Sequence, residues 1–316
     1  MEIFKRPDNI SEFIKKCYLL KPDDLIISET NWKYLLRSVL KGKNILLVGP
    51  TGSGKNKAFQ VVSKLINNGK NVFFFNFGAT TDARSSLIGN TRFDKATGTI
   101  FNESAFVKAI RTENSIILLD ELSRAHIDAS NILITVLDGL QRYIRLDEKE
   151  NSEVVNVADG VCFIATANVG NEYTGTRIMD RALLNRFPVK IEMSPIGKDD
   201  EFKLMKSRFN ISDSDKLNLL KNIIDISAYT REQMLLEDSK LSNFISTRTV
   251  EEMSELIVDG FDLQEIAEAV IYPIFSQDGG VDSERLFMKQ LVQRYISTEI
   301  CDDLLVYPLE GQRPRS

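Results

Sequence analysis

GPTGSGKN occupies residues 49–56, directly after the apolar run NILLV (44–48) and directly before KAFQVVSKLINNGK (57–70). An apolar run, a glycine-rich turn and a segment with helical spacing, in that order, read as a buried strand feeding a helix. Gly52 and Gly54 permit backbone angles that side chains forbid, so successive N–H groups can converge on phosphate oxygens. Lys55 adds a compact charge, and the helix that begins there adds its positive end. Gly49, Pro50, Thr51, Gly52, Ser53, Gly54, Lys55 and Asn56 are therefore the candidate nucleotide-binding residues. The familiar pattern G-x-x-x-x-G-K-[ST] closes on a hydroxyl that meets magnesium. Here it closes on Asn56, with two readings open. Its amide oxygen can ligate magnesium from a longer side chain, or the replacement has cost the site its turnover.

Working outward, NVFFFNF (71–77), SIILLDE (115–121), VCFIATAN (161–168) and PVKIEM (188–193) are further apolar runs of strand length, with helical segments between them. Such alternation predicts an α/β fold with a parallel sheet covered on both faces. Residues 78–100 are rich in Gly, Thr, Asp and Arg and read as an exposed insertion; the charged centre of 143–160 reads as a projecting hairpin. The first forty residues read as mainly helical. From Asp199 to about Tyr295 apolar residues recur at helical spacing without a convincing strand. The expected organisation is an α/β nucleotide-binding domain over 1–194 and a helical domain over 195–316.

Three further stretches carry chemistry. IILLDE delivers Asp120 and Glu121 to the end of a strand, where ligands of open α/β sheets sit. Asp120 is the candidate metal residue with Asn56, and Glu121 the candidate base that activates water. ATAN ends in Asn168, which can probe an outer phosphate or the attacking water, or simply cap a turn. ALLNRF places Arg186 just before a strand; in a ring such an arginine can enter a neighbour's site, with Arg181 and Arg177 as weaker candidates. STRTVEEM places Arg248 in the first turn of a helix of the second domain, capped by Ser246 or Thr247.

Composition narrows the classes. The chain has 316 residues, 43% hydrophobic and 27% charged, with a formal charge of −5 and so no overall basic field for nucleic acid. No run approaches the ~20 apolar residues of a membrane span, and the start lacks the apolar core of a secretory signal. Cys17, Cys162 and Cys301 are odd in number and widely spaced, which indicates neither a disulfide framework nor a zinc site and suits a reducing cytoplasm. The single His126 reads as a surface or packing residue on a helix. Trp32 and Tyr34 read as support for the first strand, and Phe73 to Phe75 as a buried strand.

Taken in order, GPTGSGK, IILLDELSRA, ATAN, EYTGT, ALLNRF and STRT resemble the MoxR-like branch of the AAA+ ATPases, in particular the cobalt chelatase ATPase subunit, over roughly residues 30 to 270. The resemblance implies a three-layer AAA+ sheet with a C-terminal helical lid. It implies ATP and Mg2+ as ligands, with the Walker A loop at 49–56 and the Walker B pair at Asp120 and Glu121. Asn168 then becomes sensor one, Arg186 the arginine finger and Arg248 sensor two; 78–100 and 142–160 match inserts that face the ring channel or substrate. Implied partners are copies of the chain itself in a ring, a hexamer, and a remodelled protein, often one with a separate von Willebrand factor A domain. The departure is Asn56, where the family has Thr or Ser. A nucleic-acid motor, a slowly hydrolysing nucleotide-loaded scaffold and GTP specificity are the alternatives.

Overall fold

In the computed structural model the apolar runs become five parallel strands. Residues 10–301 are described, apart from 68, 79–81, 95–97, 150, 169–178, 235 and 237–238. They divide into two compact units, Met1–Pro195 and Ile196–Ser316.

The first unit opens with helices α1 (Ile10–Tyr18) and α2 (Glu29–Leu40). It continues as β1 (Ile45–Val48), α3 (Lys55–Asn67), β2 (Val72–Asn76), α4 (Ala83–Leu87), β3 (Gly89–Asp94), β4 (Gly98–Glu103) and α5 (Ala105–Arg111). Then come β5 (Ile116–Asp120), α6 (Ile127–Val136), β6 (Tyr143–Leu146), β7 (Glu153–Asn156), β8 (Cys162–Ala167), α7 (Arg181–Leu184) and β9 (Val189–Glu192). The main sheet has the order β2-β5-β8-β1-β9, all parallel, so every strand ends at one edge. Two hairpins, β3–β4 and β6–β7, stand apart from it.

The central strands β5 and β8 are buried throughout, which is why they read as unbroken apolar runs. Their side chains still alternate between two cores. Ile116, Leu118, Cys162, Ile164, Ile45 and Leu47 meet Trp32, Leu35, Leu36, Ala58 and Phe59 of α2 and α3. Ile117, Leu119, Phe163, Ala165 and Leu46 face the other way, toward Phe106 and Ile110 of α5 and Leu133 and Val136 of α6. The result is three layers, helix on sheet on helix.

Four expectations need correction. Residues 78–100 are not simply an exposed insertion: α4 caps on Asp82 and Ala83, Leu87 and Ile88 are buried in the core, while Phe93 of the hairpin is exposed. β2 is an edge strand, and its Phe74 is 54% exposed rather than buried. Trp32 packs under β1 as expected, but Tyr34 points to solvent. His126 lies just before α6 rather than on it, its Nδ1 accepting the Asp128 N–H as the cap.

The second unit is helical: α8 (Lys198–Arg208), α9 (Ser214–Gln233), α10 (Thr247–Asp259), α11 (Leu263–Ile266) and α12 (Glu284–Cys301), with a π turn at Ala267–Ile271. Asp213 caps α9, Ser246 caps α10, and Gly260 ends α10 at φ 95°. Its core is built from Leu220, Ile223, Val250, Met253, Ile266 and Met288 among others. Glu201 is fully buried and is met by both terminal nitrogens of Arg231, at 2.9 and 3.0 Å, while Arg231 Nε donates to the Ile245 carbonyl. Removing one partner would strand a buried charge, which typically costs 3–5 kcal/mol.

Candidate functional site

The parallel sheet brings the chemistry of four strands to one edge. β1 pairs with β8 so that Val48 faces Ala167, and the Gly49 N–H continues the ladder by donating to the Ala167 carbonyl. The chain then turns through Pro50–Gly54, with Gly52 at φ 82° and Gly54 at φ 85°, angles that favour glycine. Gly49 must be small for another reason: a Cβ there would come within 2.2 Å of the Met193 carbonyl oxygen. α3 begins at Lys55, and because the first N–H groups of a helix have no intrahelical partner, this end can bind an anion. Ser53 Oγ is buried in the loop without a hydrogen-bond partner. A buried hydroxyl left over in this way fits a loop that closes around phosphate oxygens.

Lys55 is 8% exposed and its ammonium donates to the carbonyls of Gly49 and Pro50, at 2.7 Å each. Burial lowers its pKa to about 8, against the upward pull of the neighbouring Asp120 and Glu121 carboxylates. The loop thus holds a cation that burial disfavours and an added anion would favour.

Asp120, 7% exposed, ends β5 opposite Asn76 of β2. Its Oδ1 accepts the Thr166 hydroxyl at 2.6 Å and its Oδ2 accepts Asn56 Nδ2 at 3.3 Å. The same Thr166 oxygen accepts the Glu121 N–H at 2.9 Å. Glu121 sits in the left-handed region at φ 55°, unusual for a residue with a side chain, and its carboxylate meets Arg124 at 3.4 Å. That carboxylate fills the space beside Gly78, where a Cβ would approach Glu121 Oε2 to 2.0 Å. Asn168 follows the last residue of β8 and is partly buried. The loop, Asn56, Asp120, Glu121 and Asn168 therefore share one edge of the sheet.

The metal expectation meets this geometry less simply. Asn56 and Asp120 are adjacent, but an N–H of the amide faces the carboxylate, and both Asp120 oxygens already accept a donor. That arrangement does not fit two open ligands of a magnesium ion. Among the described residues no group of three or more His, Cys, Asp or Glu side chains could hold a metal.

Arg186 lies at the other edge. Asn44, immediately before β1, donates to the carbonyls of Leu137 and Arg186 at 2.8 and 2.9 Å. The phosphate loop follows β1, so the strand's length, about 13 Å for four residues, separates the two. The guanidinium is held by Asp138 at 3.0 Å and by the Ile134 carbonyl at 3.2 Å, with the side chain 30% exposed. Arg181 is exposed in the first turn of α7, and Arg248 is exposed in the first turn of α10 in the second unit. Arg177 and the EYTGT stretch lie outside the described residues.

Sequence reasoning missed Thr166, Gly78, Arg124, Asn44 and Asp138. A hydroxyl inside the apolar strand CFIATA was the visible signal for Thr166, and Arg124 lies only three residues from Glu121; Gly78, Asn44 and Asp138 act through contacts between distant segments.

Comparisons with known proteins agree with this architecture. Residues 44–187 match the family model described as an AAA domain of the dynein-related subfamily. An uncharacterized protein of Staphylococcus saprophyticus is 33% identical over 218 residues, covering 68% of this chain and 78% of that one. The "Putative chaperone BssE" of Thauera aromatica is 27% identical over 228 residues, 72% of this chain and 73% of its own. The crystal structure of a "putative ATPase" from Cytophaga hutchinsonii aligns over 89% of this chain and 94% of its own at 17% identity, with a TM-score of 0.44. The chain belongs to the AAA-type ATPase family, with its AAA domain at residues 44–187.

Proposed function

We propose that the protein is a ring-forming ATPase of the MoxR type, a hexamer that couples ATP hydrolysis to remodelling of a partner protein. The observation that carries this reading is the division of the site between two sheet edges. One chain offers the phosphate loop with Asp120 and Glu121 at the strand ends and holds Arg186 at the opposite edge, a separation that favours its use by another copy. Loop N–H groups and Lys55 hold the phosphates, Glu121 takes the proton of the attacking water, and Asn168 orients that water or the outer phosphate. Arg186 of the neighbouring copy answers the charge that develops on the phosphoryl group. Asp120 orders the site through Thr166 and Asn56; magnesium, where present, arrives with the nucleotide. The chaperone name of one relative favours a protein substrate, and a separate von Willebrand factor A domain protein is the proposed partner class. The acidic balance disfavours a nucleic-acid motor, and the proposed compartment is the cytoplasm. Among the described residues no helix is long and apolar enough to cross a membrane.

A second reading, a nucleotide-loaded scaffold that hydrolyses slowly, is favoured by the bond from Asn56 to Asp120. One experiment tests the principal reading and separates it from the second. Wild type releases phosphate from ATP, and Glu121→Gln binds ATP equally well but releases phosphate at least ~100-fold more slowly. Wild-type turnover as slow as that of Glu121→Gln favours the scaffold, and failure of both proteins to bind ATP removes both readings.

A further inference from the structure

The inference rests on the nucleotide reading just given and concerns Asn56. A serine or threonine hydroxyl carries donor and acceptor on a single oxygen, so it can give its hydrogen to a carboxylate while turning a lone pair to a cation. An amide splits those two roles between separate atoms. A carboxylate only accepts, so Asn56 must turn Nδ2 toward Asp120, and Nδ2 has no lone pair to offer. Turning the amide over would set Oδ1 against Oδ2, two acceptors that only a cation between them could reconcile, so a metal must first displace the bond from Nδ2. The other Asp120 oxygen is taken by the Thr166 hydroxyl, and the Lys55 ammonium lies within the field of the same carboxylate. The negative charge that would recruit a divalent cation is therefore answered by three groups of the chain itself.

We propose that Asn56 uncouples nucleotide binding at this loop from magnesium: triphosphate is held by the loop N–H groups and Lys55, with or without a divalent cation. The residue that breaks the motif is then a specificity determinant, setting how far binding depends on the metal.

The test is calorimetric titration of the full chain with the non-hydrolysable analogue adenylyl imidodiphosphate, in excess magnesium and in excess chelator. Wild type is expected to keep its Kd within about threefold between the two conditions, while Asn56→Thr and Asn56→Ser weaken about tenfold or more on chelation. A larger wild-type loss on chelation overturns the proposal, as does equal indifference in a folded Thr or Ser variant. If neither variant folds, the wild-type ratio decides alone. No wild-type binding in either condition defeats the nucleotide reading itself, and the proposal with it, and so differs from a loss confined to chelator.

Discussion

Lys55 shows how one residue links folding to ligand chemistry. Its folded pKa of about 8 lies below its ordinary 10.5, so between those values the unfolded chain binds more protons than the folded one. Stability therefore rises as pH climbs from about 8 to about 10.5, by up to roughly 3 kcal/mol, and this contribution is flat below 8. Phosphate placed beside the ammonium would raise the pKa again. Binding above pH 8 should then take up a proton, and affinity should fall with rising pH. Calorimetry at pH 8.5 in two buffers of different ionisation enthalpy reads the proton directly, and zero uptake would contradict the burial account. Thr166 is the second residue to probe, since one oxygen there serves both Asp120 and the Glu121 backbone. Thr166→Val keeps the shape but leaves a buried acceptor and donor unpaired, for an expected loss of about 2–4 kcal/mol in thermal or urea unfolding and at least ~10-fold in kcat. Asp120 and Glu121 could be read from the sequence because a strand end announced them. Thr166 could not be assigned its role, because that role depends on β8 lying beside β5, which local sequence does not state.

At the scale of elements, strands were easy to read where burial on both faces made them continuous apolar runs, as in β5 and β8. α4 and the β3–β4 hairpin were read as polar surface because their few buried residues, Ala83, Leu87 and Ile88, are scattered among Thr, Asp and Arg. The sheet order was also beyond local reading, since it is fixed by which faces pack and not by any one segment. Tertiary packing joins the two hairpins by charge. Glu103 at the end of β4 meets Arg111 of α5 and Lys149 of the β6–β7 turn, both of which also meet Glu153 of β7. Arg84 of α4 meets Glu148 of the same turn at 2.5 Å. Exposed ion pairs are individually weak and screened by salt, so a network matters mainly for coupling motions. Glu103→Gln should raise amide exchange severalfold in both 98–103 and 143–156 with little change in global stability. Exchange that rises only in the mutated hairpin would show that the two move independently.

At the scale of the molecule, the proposed site depends on two copies of the chain. β1 separates the phosphate loop from Arg186, and Asp138 and the Ile134 carbonyl hold that guanidinium at the far edge with part of it in solvent. The arginine was legible in the sequence as a residue ahead of a strand, but its distance from the loop follows only from the parallel sheet. The claim that one copy's loop works with the next copy's arginine is tested most directly by mixing two inactive chains. Lys55→Ala lacks its own phosphate site but retains Arg186; Arg186→Ala retains the site but lacks the arginine. Each alone should release labelled phosphate from ATP at least ~100-fold more slowly than wild type, and an equimolar mixture should recover a substantial fraction of wild-type turnover. A mixture as silent as its folded parents, or an Arg186→Ala chain that turns over like wild type, would contradict the account.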